Sequence, residues 1–132
     1  DLRSLLWERT GILRDGDGLA SGLAELEAIR ERASDLSVGD RTSASYELAL
    51  DLGFALVTAE AVLRSARKRT ESRGAHFRTD YPDTASDWRR NILVRSDDVG
   101  AMHLSTAAVG TPSEAVQAAL DRGYELDYHQ LE

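Results

Sequence analysis

Apolar side chains recur along the first half of the chain at helical spacing. Leu2, Leu5, Leu6 and Arg9 share one face of a short segment, with Trp7 beside them, and Gly11 interrupts it. Asp15-Gly16-Asp17-Gly18 is turn chemistry, and Asp17 is placed to cap the helix that follows. Leu19, Leu23, Leu26, Ile29 and Ala33 then return every three or four residues, with Glu25, Glu27, Glu31 and Arg32 on the other side. This spacing predicts a helix from about Gly18 to Ser34, and the polar stretch from Ser37 to Ser43 reads as a loop. Ser43 or Ser45 can cap the next helix, with Glu47 in its first turn. Between Tyr46 and Arg69 the apolar positions are Leu48, Leu52, Ala55/Leu56, Ala59, Val62/Leu63 and Ala66. That helix spans about 36 Å at 1.5 Å per residue. Its alanines let another helix approach closely, and so long a stripe must be covered. Three antiparallel helices are the simplest cover.

The pattern changes after Gly74. Residues 74–87 are turn-rich, Ser86 to Asn91 can form one helical turn, and Ile92-Leu93-Val94 is strand-like. Met102 to Thr106 can pair with it across the Asp97–Gly100 turn. Thr111 is placed to cap a helix with Pro112 at its first position, ending at Asp121 before Gly123. The tail from Tyr124 to Glu132 reads as extended and acidic. The expected class is all-α: a three-helix up-down-up bundle over residues 1–95. Residues 96–132 form an irregular extension with a short hairpin and a short helix.

Composition narrows what such a bundle can do. At 132 residues, 42% of them hydrophobic, the chain can build one core without disulfide or metal. It has no cysteine, which excludes disulfides, thiol catalysis and iron–sulfur ligation. No apolar run approaches the ~20 residues that span a bilayer, so no membrane insertion is expected. The opening Asp1-Leu2-Arg3-Ser4 is neither a signal peptide nor an initiator methionine, and suggests a piece of a longer polypeptide. A net charge of −7 argues against nucleic-acid binding. Of 16 cationic residues only Lys68 is lysine. Arginine and aspartate in such excess fit a salt-rich cytoplasm, whose proteins strengthen in molar salt. They equally fit a GC-rich genome, which predicts no such dependence.

Candidate chemistry is sparse. Gly16-Asp17-Gly18 opens like a phosphate loop, but no strand precedes it and Asp15 and Asp17 would repel phosphate. Read as a calcium loop, it has Leu19 where an oxygen ligand belongs. His76, His103 and His129 are too scattered for a metal site. Ser72, His76 and Asp80 are spaced by four, yet Gly74 breaks a continuous helix between them. No catalytic, cofactor-binding or metal-binding residue is therefore assigned. The informative stretch is Arg64 to Arg90, which holds half of all the cations: Arg64, Arg67, Lys68, Arg69, Arg73, Arg78, Arg89 and Arg90. A helix dipole accounts for cations at the helix end but not for those in the loop beyond it. Interleaved with Phe77, Tyr81 and Trp88, these arginines have the composition of a docking surface.

Here the chain resembles a known family. Arg69-Thr70-Glu71-Ser72-Arg73-Gly74-Ala75-His76-Phe77-Arg78-Thr79-Asp80-Tyr81-Pro82 is similar to the signature of the C-terminal helical domain of succinate dehydrogenase and fumarate reductase flavoproteins. The likeness extends upstream through Trp7-Glu8-Arg9-Thr10-Gly11-Ile12-Leu13-Arg14, takes in Glu47 to Gly53, and covers roughly residues 1–95. L-aspartate oxidase is a sister family, which usually carries leucine where this chain has Ala75 and a non-basic residue where it has Arg78. The resemblance implies a spectrin-repeat-like bundle belonging to an FAD-dependent oxidoreductase. An upstream FAD domain would hold the flavin and the catalytic residues, so the fragment alone is expected to be inactive. Arg69, Glu71, Ser72, Arg73, Gly74, His76, Arg78 and Asp80 would form a hydrogen-bonded network between bundle and FAD domain. Partners would be that domain and an iron–sulfur subunit, in a complex peripheral to the inner face of the cell membrane and active in electron transport. An independent helical adaptor that binds an acidic partner through the same arginines is the competing expectation.

Overall fold

The computed structural model describes residues 1–123, so the tail expected to be extended lies outside the described residues. Helix α1 covers Leu2–Arg9, α2 Gly16–Ser34, α3 Ala44–Lys68 and α4 Glu114–Asp121. The first three stand where the apolar periodicity puts them, with caps that differ in detail. Asp15, not Asp17, caps α2: its carboxylate accepts the Gly18 amide at 2.7 Å. Ser43 caps α3 by accepting the Tyr46 amide at 3.3 Å. Ser113 caps α4, which leaves Thr111 and Pro112 outside the helix.

α2 and α3 run antiparallel. A Cβ on Gly22 would lie 2.9 Å from Leu63 Cδ2, and Arg30 reaches Glu60 at 2.6 Å. The same Cβ would lie 3.0 Å from Arg9 Cβ, so the glycine admits the end of α1 against both longer helices. The core consists of Leu5, Leu19, Leu26, Leu56, Ala59, Leu63 and Ala66, with Leu2, Leu6, Leu23, Ile29, Ala33 and Leu52 packed around it. α1 has only eight residues against 25 in α3, so it covers part of that helix and no more. Leu48, expected in the core, is exposed, as are Leu50, Phe54 and Val57; of the adjacent Val62 and Leu63, Leu63 turns inward and Val62 stays exposed.

The fold is not purely all-α. Strand β1, Leu13–Arg14, pairs in parallel with β2, Phe77–Arg78. β3, Arg90–Ser96, pairs antiparallel with β4, Met102–Ala108, across the expected turn. The hairpin is longer than its apolar run because polar residues at both ends also pair in register, Arg90 with Ala108 and Ser96 with Met102. The boundary expected after residue 95 falls inside β3. Between β2 and β3, the single turn Ser86–Trp88 is a 3-10 helix.

Candidate functional site

Residues 69–85 leave the C-terminus of α3, fold back past the N-terminus of α2, and lead to the 3-10 turn. Two short returns shape them. Arg73 and His76 exchange backbone hydrogen bonds, at 2.8 and 3.0 Å, around Gly74 with φ +57°. Glycine is the residue that takes this left-handed conformation without strain. The second return is a bond from the Tyr81 amide to the Arg78 carbonyl at 3.1 Å.

Inside the loop, a fully buried Glu71 gathers two arginines. Arg73 approaches it with Nε on one oxygen at 2.9 Å and Nη2 on the other at 3.0 Å. Arg69 also donates to the first oxygen, and the Ala85 amide donates to the second at 2.8 Å. These donors, Arg73 foremost, hold the Glu71 carboxyl at about 2, below its ordinary 4.5 and against the opposing effect of burial. Arg69 continues outward: it donates to the Trp88 and Arg90 carbonyls and stacks on the Trp88 ring at 5.1 Å. The Trp88 indole N–H is held by Thr70 at 2.8 Å.

Arg78 is the second buried charge, 2% exposed. Its Nη1 donates to the carbonyls of Ala66, Arg67 and Arg69 at 3.1, 3.2 and 3.1 Å. These carbonyls end α3, where the helix leaves acceptors unpaired and the dipole favours a cation. Its other nitrogens grip Asp80 at 2.7 and 2.6 Å, and Asp80 in turn accepts the Gly16 amide at 3.0 Å. One ion pair thus joins the negative end of α3 to the positive end of α2. Arg78 and the Gly16 amide hold the Asp80 carboxyl at about 2.

Ser72 serves the backbone. Its hydroxyl accepts the Arg78 amide at 2.9 Å and donates to the Tyr81 carbonyl at 2.8 Å. His76 Nδ1 lies 2.8 Å from Arg14 Nη1, which can only donate, and Nε2 lies 3.3 Å from the Arg69 carbonyl. These partners assign a neutral ring protonated on Nε2. Burial, then the charges of Arg14, Arg78 and Arg69, lower the His76 pKa below 6.5, while the Arg69 carbonyl opposes them. Ser72, His76 and Asp80 do not bond one another and form no catalytic relay. His103 pairs with Asp97 at 2.8 Å, away from this loop, and His129 lies outside the described residues.

All eight residues expected to form a network are therefore placed in one loop, and their bonds run within the domain. Sequence reasoning assigned no role to the second layer: Arg14, Thr70, Thr84, whose hydroxyl donates to the Ser72 carbonyl at 2.8 Å, and the Ala85 amide. Arg14 and Thr70 lie in the two segments that carry the resemblance, and Thr84 and Ala85 lie outside them. Outward from the network Arg73 is half exposed, and beside it lie Phe77 and, paired with Phe77 across β1 and β2, Leu13 at 68% exposure. Ile12 and Trp7, upstream in the chain, are also exposed, at 76% and 83%.

The family model for the fumarate reductase flavoprotein C-terminus matches residues 1–122. The chain belongs to this family. The match runs well past residue 95 and takes in the hairpin and α4. Within the family, the chain is 34% identical over 108 residues to the fumarate reductase flavoprotein subunit of Mycobacterium tuberculosis, covering 79% of this chain and 18% of that one. It is 33% identical over 98 residues to L-aspartate oxidase of Pyrococcus furiosus, covering 74% and 17%. In structure it is similar to the Mycobacterium smegmatis Sdh1 complex in the apo form: TM-score 0.78, 26% identity, covering 95% of this chain and 23% of that one. The chain thus spans less than a fifth of the length of these two curated relatives.

Flavoproteins of this family carry FAD. The one turn here that begins like a phosphate cradle does not fit its pyrophosphate. At the start of α2 the Gly16 amide already donates to Asp80 and the Gly18 amide to Asp15. A phosphate would meet two carboxylates there.

Proposed function

We propose that the chain is the non-catalytic C-terminal domain of a succinate dehydrogenase/fumarate reductase flavoprotein subunit, packing on that subunit's FAD-binding part through the outer face of the Arg69–Asp80 loop. One observation carries this reading: the loop's buried charges are all satisfied internally, while the paired Leu13 and Phe77 stand uncovered at its edge. A network that fixes a rigid loop under an exposed apolar face is built to present that face. The parent enzyme would supply flavin and catalytic residues from elsewhere, meet an iron–sulfur subunit, and lie peripherally on the inner face of the cell membrane. No helix among the described residues is long and apolar enough to cross a membrane.

Leu13→Asp and Phe77→Asp in the full-length flavoprotein test the docking face, since both side chains are exposed and take no part in the Glu71 network. Both should lower its melting temperature and its succinate-dependent dye reduction. Wild-type values for both variants remove the claim. The 132-residue chain alone should stay colourless with FAD and reduce no dye. L-aspartate oxidase is the second reading, supported by the identity to the Pyrococcus furiosus protein. Ala75 and the buried Arg78 favour the first, and aspartate-dependent activity of the parent would favour the second.

A further inference from the structure

The β3–β4 hairpin leaves a strand edge open beside unpaired cations. Two bonds bracket its ladder: the Asp97 amide donates to the Ala101 carbonyl at 3.0 Å, and the Val109 amide to the Arg89 carbonyl at 3.4 Å. Bonded and non-bonded pairs alternate in an antiparallel ladder, so Asn91–Ala107, Leu93–Ser105 and Arg95–His103 exchange the bonds between. Met102, Leu104 and Thr106 therefore turn their amides and carbonyls away from β3. The Met102 carbonyl is met from that side by Arg64 at 3.0 Å, as this register requires. The amides and carbonyls of Leu104 and Thr106 have no partner among the described residues.

The side chains of Leu104 and Thr106 face the end of α3. Leu104 lines a recess of about 490 Å3 with Leu23, Arg64, Arg67 and Lys68. Arg67 and Lys68 follow Arg64 by three and four residues, so all three share one face of α3. Thr106 lines the next recess with Lys68, Asp87, Trp88 and Arg90. Arg64 is paired with Glu60 at 2.8 Å, but Arg67 and Lys68 are exposed and have no carboxylate partner among the described residues. Asp87 is the single carboxylate lining either recess, and it makes no ion pair among those residues. The dipole of α3 does not account for these two cations, because Arg78 already occupies the carbonyls of Ala66, Arg67 and Arg69. In a chain of net charge −7, a strand edge flanked by unpaired cations is complementary to an extended segment rich in carboxylates. A second copy pairing edge to edge would bring like charges together.

We propose that an extended acidic segment of another polypeptide adds to the open edge of β4 and sets its carboxylates on Arg67 and Lys68. The site shares no residue with the face at Leu13 and Phe77, and would be occupied whether or not that face meets an FAD domain.

Alternate residues of an extended segment face the same side, so the probes are three dye-labelled peptides of about ten residues. One alternates glutamate with threonine and one alternates lysine with threonine. The third is the glutamate peptide with every amide N-methylated, which cannot add to a strand edge. They are titrated against the intact polypeptide by fluorescence anisotropy. The glutamate peptide should bind about tenfold more tightly than either of the others. Its affinity should fall as salt rises from about 0.05 to about 0.5 M, as expected for exposed charges. Arg67→Gln combined with Lys68→Gln should abolish the preference for glutamate over lysine, with the helical circular dichroism unchanged. Hydrogen exchange at the Leu104 and Thr106 amides should be fast in the free polypeptide and slow on addition of the glutamate peptide. Equal affinity for the glutamate and lysine peptides, undiminished binding after N-methylation, no binding at millimolar peptide, or unchanged exchange overturns the proposal. So does a dimer in sedimentation that protects those two amides, which makes a second copy the occupant. Slow exchange in the monomer before any peptide is added also overturns it, because another part of the same polypeptide then covers the edge. Tighter binding of a single-stranded oligonucleotide of equal charge makes nucleic acid the occupant and overturns it too.

Discussion

Replacing Arg78 by methionine tests the central physical claim about the loop. The substitution keeps much of the stem's volume and deletes the guanidinium. Three carbonyls at the end of α3 lose a donor, and Asp80 keeps only the Gly16 amide. Each buried acceptor left short costs about 1 kcal/mol, or about 3 together. The Arg78–Asp80 pair adds about 1 more, well under the ~3–5 of a fully buried pair, because the Asp80 side chain is 37% exposed. A loss of about 4 kcal/mol should lower the melting temperature by roughly 10–15 °C for a chain of this size. Urea unfolding followed by helical circular dichroism measures it directly. Asp80→Asn should cost only about 1 kcal/mol, since the carbonyl bonds of Arg78 survive it, and the double variant should be less than additive. If Arg78→Met costs under about 1 kcal/mol, the guanidinium does not tie α3 to α2, and the account of the loop fails.

Three further outcomes follow from the same geometry. The Glu71 carboxyl sits at about 2 in the folded chain against 4.5 unfolded, so its contribution is fully present above pH 4.5 and is lost as pH falls through 2. Acid unfolding of Glu71→Gln should therefore lack much of the wild-type slope over that window, and identical profiles would contradict the buried pairing. His76 has a folded pKa below 6.5, so the unfolded chain takes up its proton first. Stability should decline as pH drops below 6.5, and His76→Gln should remove that decline, while NMR should show the ring protonated on Nε2 at pH 7. Gly74→Ala should cost about 1 kcal/mol through φ alone, because nothing lies within 4 Å of the added methyl. A neutral effect would mean that the turn can relax.

The helices were legible because burial on one face imposes a period, and Leu19, Leu26, Leu56 and Leu63 keep it. Two things were not. Asp15-Gly16 and Asp17-Gly18 are equivalent as caps in sequence, and α2 starts at the first, where Asp80, 64 residues away, meets the Gly16 amide. The β1–β2 pair, two residues per strand, has no local pattern at all, since Leu13 and Phe77 are matched only by the loop's path. The length of α1 also mattered. Periodicity put Leu48 inside a three-helix core, but eight residues cannot cover a helix of 25. In the arginine-rich stretch, composition marked the right residues without revealing that Arg69, Arg73 and Arg78 turn inward to neutralise Glu71 and Asp80. Charge lists carry no information about direction.

The clamp made by Arg78 and Asp80 has a consequence for order in time. Its two grips, on the last carbonyls of α3 and the first amide of α2, exist only once both helices have formed and met. The turn around Gly74 can close on its own Arg73–His76 bonds, but its position against α2 is fixed only when both grips are made. Loss of either grip would leave the turn intact and its place on the domain undefined, so the bond sets where the loop stands and the local turn sets its shape.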